Sequence, residues 1–283
     1  MIFKIVSVAT LVSLLVGGAA SILAATFSVP VTARMSVFLA VTIVADASLL
    51  YGAFERRAFV FGRIFWKAPG NPRVLSVTFD DGPNEPHTSQ ILDILKSFDV
   101  KATFFVLGKN AEAFPDTLKR IIAEGHEIGN HTYDHEVLVL KSASQISDQI
   151  ARTNGIIARI AGVRPRLFRS PHGWRNPWSN RVVMREHSVP VAWTLGVWDT
   201  DRPGAERIVE RTLRGLKGGC VLLLHDGRGT ERGADASQLV SALPRIITEA
   251  RRAGYSFVRL SDMMEKAGTC FPQIPEGAGR GRE

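Results

Sequence analysis

Two long apolar stretches open the chain, and short apolar runs alternating with longer amphipathic ones fill most of the remainder. From Ile5 to Ala33 there is no charged residue, and after Arg34 the run Met35 to Phe54 is apolar apart from Asp46. Each is long enough for a spanning helix, which takes about 20 residues. The first also exceeds the roughly 7 to 15 residues of a signal-peptide core, so retention in the cell membrane, with lipid as a partner, is expected. Asp46 costs about 2.5 to 3.5 kcal/mol on an insertion scale, and nine Val, Ile, Leu and Phe residues at about 0.3 to 0.6 each offset it. A transmembrane hairpin and a single transmembrane segment followed by an interfacial one both fit. Lys4 precedes the first stretch, while Arg56, Arg57, Arg63 and Lys67 follow the second. Positive-inside logic then puts both ends in the cytoplasm for a hairpin and the bulk of the chain outside for a single span, so the side stays open.

After Pro69-Gly70-Asn71-Pro72 the apolar runs predict seven strands: Val74 to Phe79, Thr103 to Val106, Glu127 to Gly129, Leu167 to Arg169, Val191 to Leu195, Val221 to Leu224 and Ser256 to Leu260. Thr88 to Phe98, Ala143 to Ile160 and Gln238 to Ala253 carry apolar residues at helical spacing. Repeated βα units imply an α/β fold, here a distorted (β/α)7, TIM-like barrel. Asp80, Asp81, His131, Arg169 and His225 fall at or just after the carboxyl ends of predicted strands, which share one face in a parallel barrel. A doubly wound sheet, the alternative, would gather its ligands at one switch point. The expected organisation is a membrane anchor at 1–56, a linker at 57–71, the folded domain at 72–267, and a Gly/Pro-rich disordered tail at 268–283.

With 283 residues, 45% of them hydrophobic and 22% charged, the chain holds one such domain and a short appendage. The net charge of +8 forms no dense basic block with interleaved aromatics, so no nucleic-acid partner is predicted. Of the two cysteines, Cys220 lies in an apolar run and Cys270 in the tail, which fits neither a disulfide framework nor a cysteine metal site.

Chemistry concentrates in five segments. Thr78-Phe79-Asp80-Asp81-Gly82-Pro83 ends a strand with two carboxylates, and His131-Thr132-Tyr133-Asp134-His135 places two imidazoles within reach of one ion if the turn between them is helical. One Asp and two His with an open position make a familiar catalytic metal set, zinc first, with other first-row divalent metals open. Phe168-Arg169-Ser170-Pro171-His172-Gly173, Trp193 through Asp199, and Leu222-Leu223-Leu224-His225-Asp226 complete the series.

In order and spacing these segments resemble the motifs of the NodB-homology polysaccharide deacetylases, carbohydrate esterase family four, over about residues 72 to 265. The resemblance implies that Asp81, His131 and His135 hold the metal and that Asp80 is the general base, with Arg169 set against it. It implies further that His225 donates a proton to the leaving nitrogen, kept charged and aimed by Asp199. Leu223 would line the acetyl pocket, and the backbone N–H of His172 would help stabilise the oxyanion. The fourth segment departs from the family's Asp-x-x-Asp-Trp pattern, reading Gly196-Val197-Trp198-Asp199-Thr200, so Trp198 or Trp174 would have to supply the missing aromatic wall. Three functions follow: a monomeric metal-dependent hydrolase removing N-acetyl or other N-acyl groups from a cell-surface or cell-wall glycan, the same chemistry on a lipid-linked sugar intermediate, or an inactive sugar-binding membrane protein. The last has no reason to keep an acid, a base and a ligand set together.

Overall fold

The computed structural model describes residues 30–70 and 72–269, with a few positions between 14 and 22. Most of the first apolar stretch and nearly all of the predicted disordered tail lie outside the described residues. The fold is α/β. The described residues form eight parallel strands, β1 (Val74–Asp80), β2 (Thr103–Val106), β3 (Glu127–Asn130), β4 (Leu167–Phe168), β5 (Val189–Pro190), β6 (Leu195–Gly196), β7 (Cys220–His225) and β8 (Ser256–Phe257), of which seven run in the order β5-β4-β3-β2-β1-β7-β6. β8 pairs with Val74 and Leu75 of β1, the end of that strand that β2 leaves free.

Burial on both faces explains the nearly unbroken apolar runs. Successive side chains alternate, so Val77, Phe79, Phe104, Val106, Leu222 and Leu224 pack outward against the helices, while Phe105, Leu167, Val191 and Val221 fill the interior. The helix Leu260–Lys266 closes the amino end of the barrel: Met263 and Met264 join the interior cluster, and Leu260 N donates to Thr103 Oγ1 at 3.0 Å. The opposite, carboxyl end is left to polar groups.

The expected fifth strand, Val191 to Leu195, is instead two short ones, β5 on β4 and β6 on β7. No strand ladder joins them, because the gap is closed by the segment read as a linker. Phe65 N donates to Pro190 O, Ala192 N to Phe65 O and Ala68 N to Gly219 O, at 3.1, 2.7 and 3.0 Å. Residues 65–68 thus satisfy backbone groups that an open seam would leave unpaired.

Upstream, Val31–Phe54 is one helix long and apolar enough to cross a membrane, with only 11% of its most apolar stretch buried. A Cβ at Gly17 would lie 2.7 Å from Phe38 and Thr42, so that part of the first apolar stretch rests on this helix.

Candidate active site

Every sequence-predicted catalytic group stands at a strand's carboxyl end: Asp80 closes β1, His131 follows β3, Arg169 follows β4, Asp199 lies just past β6 and His225 closes β7. β1 and β7 are in register with Asp80 opposite His225, which brings the proposed base and acid to adjacent strands.

Asp81, His131 and His135 present ligand atoms that all lie within 4.8 Å of one another. Asp81 Oδ1 is 3.5 Å from His131 Nε2 and 3.2 Å from His135 Nε2, and it is buried without a hydrogen-bond partner. A buried carboxylate oxygen so placed fits a cation. His131 Nδ1 lies 2.7 Å from Arg169 O, which takes the N–H and turns Nε2 toward the carboxylate. Burial pushes the His131 imidazole down to about 3, leaving it neutral, as a ligand must be.

The turn carrying the two histidines is not helical. Asn130 Oδ1 accepts from Thr132 N at 2.8 Å, Thr132 and His135 adopt φ of 75° and 64°, and Thr132 Oγ1 accepts from His135 N at 3.2 Å. Side-chain hydrogen bonds thus double the chain back and bring the two rings to 5.2 Å. Asp81 also sits at positive φ, 77°, with its carbonyl oxygen accepting from Asn110 Nδ2 at 2.7 Å. Non-glycine residues held in that region mark a backbone constrained by its surroundings.

Asp80 is 3% exposed, and its Oδ1 accepts from Arg169 Nη1 at 2.7 Å. Arg169 is fully buried, donates from the same nitrogen to Thr78 Oγ1, and lies 4.0 Å over the Phe105 ring. Burial raises the Asp80 carboxyl above the usual range, against the pull of Arg169 and His225, which makes it a better proton acceptor. Asp199 clasps His225 twice: Oδ2 accepts the backbone N–H at 2.7 Å, and Oδ1 lies 3.0 Å from Nδ1. Burial works against the charged imidazole, but the Asp199 carboxylate, helped by Asp81 and Asp80, overcomes it and pushes His225 up to about 10. One site therefore holds a neutral imidazole, His131, and a charged one, His225, the pairing a metal ligand and a general acid would need.

Leu223, 6% exposed, faces Gly196 across the floor. His172 adopts φ 57° and lies between the rings of His135, at 4.8 Å, and Trp174, at 5.1 Å. Trp198 is 68% exposed and turned to solvent, whereas the Trp193 ring lies 5.7 Å from the Arg169 guanidinium, farther than that of Phe105. Sequence reading gave no role to Trp193, Asn110, Asn130 or Asp226. Asn130 directly precedes His131, and Asp226 directly follows His225, which is the signal that was available. Asp226 is fully buried, with Oδ2 accepting from Thr88 Oγ1 at 2.6 Å, and burial pushes it up to about 7 despite that bond.

Gly82, next to the candidate ligand Asp81, has no room for a side chain: an added Cβ would fall 2.0 Å from Asp226 Oδ2. Gly82→Ala is expected to cost about 1 to 3 kcal/mol, as overpacking does. Thermal unfolding of the variant, with bound metal measured alongside, checks this, and an unchanged midpoint would show that the turn yields freely.

A family model described as polysaccharide deacetylase matches residues 67–190. A peptidoglycan-N-acetylglucosamine deacetylase of Bacillus cereus is 34% identical over 208 residues, covering 72% of this chain and 93% of the relative. A chitooligosaccharide deacetylase of Rhizobium leguminosarum bv. trifolii is 35% identical over 209 residues, covering 71% and 97%. Among solved structures, a peptidoglycan N-acetylglucosamine deacetylase superposes with a TM-score of 0.69 at 35% identity, covering 74% of this chain and 95% of the other.

Proposed function

The chain belongs to the polysaccharide deacetylase family, and from that premise we propose that it is a membrane-anchored, metal-dependent hydrolase removing acetyl groups from N-acetylated amino sugars. The observation that carries the reading is the joint presence of the ligand set Asp81, His131 and His135, the Asp80–Arg169 pair and the Asp199–His225 pair around one barrel mouth. A divalent ion held by the three ligands, zinc by preference for one carboxylate and two imidazoles, would supply Lewis acidity toward the acyl oxygen.

The chain's own groups do the rest. Asp80, oriented by Arg169, takes a proton from the attacking water, whose oxygen bonds to the acyl carbon. His225, charged and aimed by Asp199, gives its proton to the sugar nitrogen as the carbon–nitrogen bond breaks, so the products are acetate and the free amine. Leu223 offers an apolar wall to the acetyl methyl, and the backbone N–H of His172, by the family resemblance, would help stabilise the oxyanion.

Anchoring is supported by the apolar helix Val31–Phe54 and by how it ends. Arg175, 2% exposed, donates from Nη2 to Glu55 O and Ala58 O at 3.1 and 2.9 Å and from its backbone N to Ala53 O at 3.0 Å, so the helix end is tied into the folded domain, and its removal as a cleaved leader would leave that backbone N–H without its acceptor.

The full chain in detergent should release acetate from chitin oligomers with a divalent metal present, lose that activity to a chelator, and regain it on adding metal back. His131→Ala and His135→Ala should lose both bound metal and turnover. Activity that survives complete metal removal would sink the ligand assignment.

A further inference from the structure

The end of the apolar helix is built into the rim of the barrel mouth. Arg175 N donates to Ala53 O at 3.0 Å, alongside its side-chain bonds to Glu55 O and Ala58 O. Phe54, the last helical residue, meets Trp174 edge-on with centroids 5.3 Å apart, Trp174 lies 5.1 Å from the His172 ring, and His172 lies 4.8 Å from that of His135. Three ring contacts thus lead from the helix end to a metal ligand. Arg56 Nε donates to Trp193 O at 3.3 Å, and its guanidinium lies 5.1 Å over the Trp193 ring.

The chain just beyond the helix carries the signature of a headgroup layer. Phe59 and Val60 are 78% and 42% exposed, and Arg57 and Arg63 are exposed around them. Aromatic and basic side chains together favour the membrane–water interface and its phosphates.

Taking the site as the deacetylase centre proposed above, we infer that its substrate is an acylated amino sugar still joined through phosphate to a membrane lipid, presented in the bilayer that holds the helix. Reach and charge both select this substrate. A mouth clamped to the helix end by Arg175 stays at the bilayer surface and cannot follow a polymer away from it. Arg56, Arg57 and Arg63 follow the helix end directly in the chain, Arg57 paired with Glu55 at 2.9 Å and Arg56 set over Trp193, so basic groups border the helix end where the phosphate of such a lipid would lie. Sharing one bilayer also raises the effective concentration of substrate without any new contact. The hydrolysis is unchanged: the acyl carbon–nitrogen bond breaks, and the phosphate link is untouched.

The test uses the full chain with metal in vesicles of phosphatidylethanolamine and phosphatidylglycerol. Three substrates are compared at equal sugar concentration: polyprenyl-diphosphate-linked N-acetylglucosamine, the water-soluble nucleoside-diphosphate-linked sugar, and a chitin tetramer. The lipid-linked sugar should give a kcat/KM higher by about tenfold or more. Its rate should fall as inert lipid dilutes the bilayer at constant bulk concentration. A tetramer turned over as well as the lipid-linked sugar, or indifference to dilution, overturns the inference and leaves the deacetylase reading standing. A nucleotide-linked sugar that is preferred shows the basic residues serving a soluble phosphate, which also overturns it. No acetate from any of the three overturns both readings.

Discussion

Asp80→Asn is expected to lower kcat/KM by about 10² to 10⁴, the usual worth of a positioned proton transfer, while divalent metal stays bound. Asn keeps the shape of the side chain and removes its ability to take a proton. Asp80 Oδ1 is engaged by Arg169, and Oδ2 is the oxygen facing the metal set, 3.8 Å from His131 Nε2, which leaves it placed to receive a proton there. Asp81 Oδ1, 3.5 and 3.2 Å from the two imidazoles, is the proposed ligand. The same substitution strips the fully buried Arg169 of its counter-charge, and breaking a buried pair costs about 3 to 5 kcal/mol. Turnover, metal content and thermal unfolding should therefore be measured on one preparation. A variant that unfolds much earlier, still binds metal at low temperature and has lost turnover meets the expectation. Turnover within a few fold of the parent, or metal lost from a folded variant, refutes the role of Asp80 as base.

The second large effect is on the acid. His225→Ala should reduce kcat/KM by a comparable factor of about 10² to 10⁴, and Asp199→Asn should cost less at neutral pH while moving the pH profile. Asp199 raises His225 to about 10, so the protonated imidazole is favoured in the folded state. That contribution to stability is complete below the unfolded histidine pKa of about 6.5 and is lost as pH climbs through the folded value. Catalysis by the protonated form follows the same direction, fading on the basic side. Removing the carboxylate charge should pull the basic limb of kcat/KM to lower pH by about one to three pH units, the effect of one close opposite charge. A bound divalent cation lowers the limb in both proteins, so the difference between them is the quantity to read. A basic limb that does not move would show that Asp199 serves only to hold the His225 backbone N–H.

The chain order of short apolar runs determined the parallel α/β fold, because strands buried on both faces leave little freedom in residue type. It also determined where the chemistry lies, since Asp80, Asp81, His131, Arg169 and His225 each follow such a run and parallel strands end on one face. What the periodicity could not decide was anything fixed by side-chain hydrogen bonds between distant segments. The His131–His135 turn is left-handed and not helical because Asn130 and Thr132 cap its amides. Trp198, which the sequence put forward as a pocket wall, turns to solvent, while Trp193 takes the place beside Arg169. Residues 65–68 close the gap between β5 and β6, a partnership with residues more than a hundred positions away that no local pattern encodes. The helix end meets the mouth through Arg175, Trp174 and Arg56, whose partners are set by packing across the chain, so the nearness of the candidate site to the end of the apolar helix is decided by the tertiary structure alone.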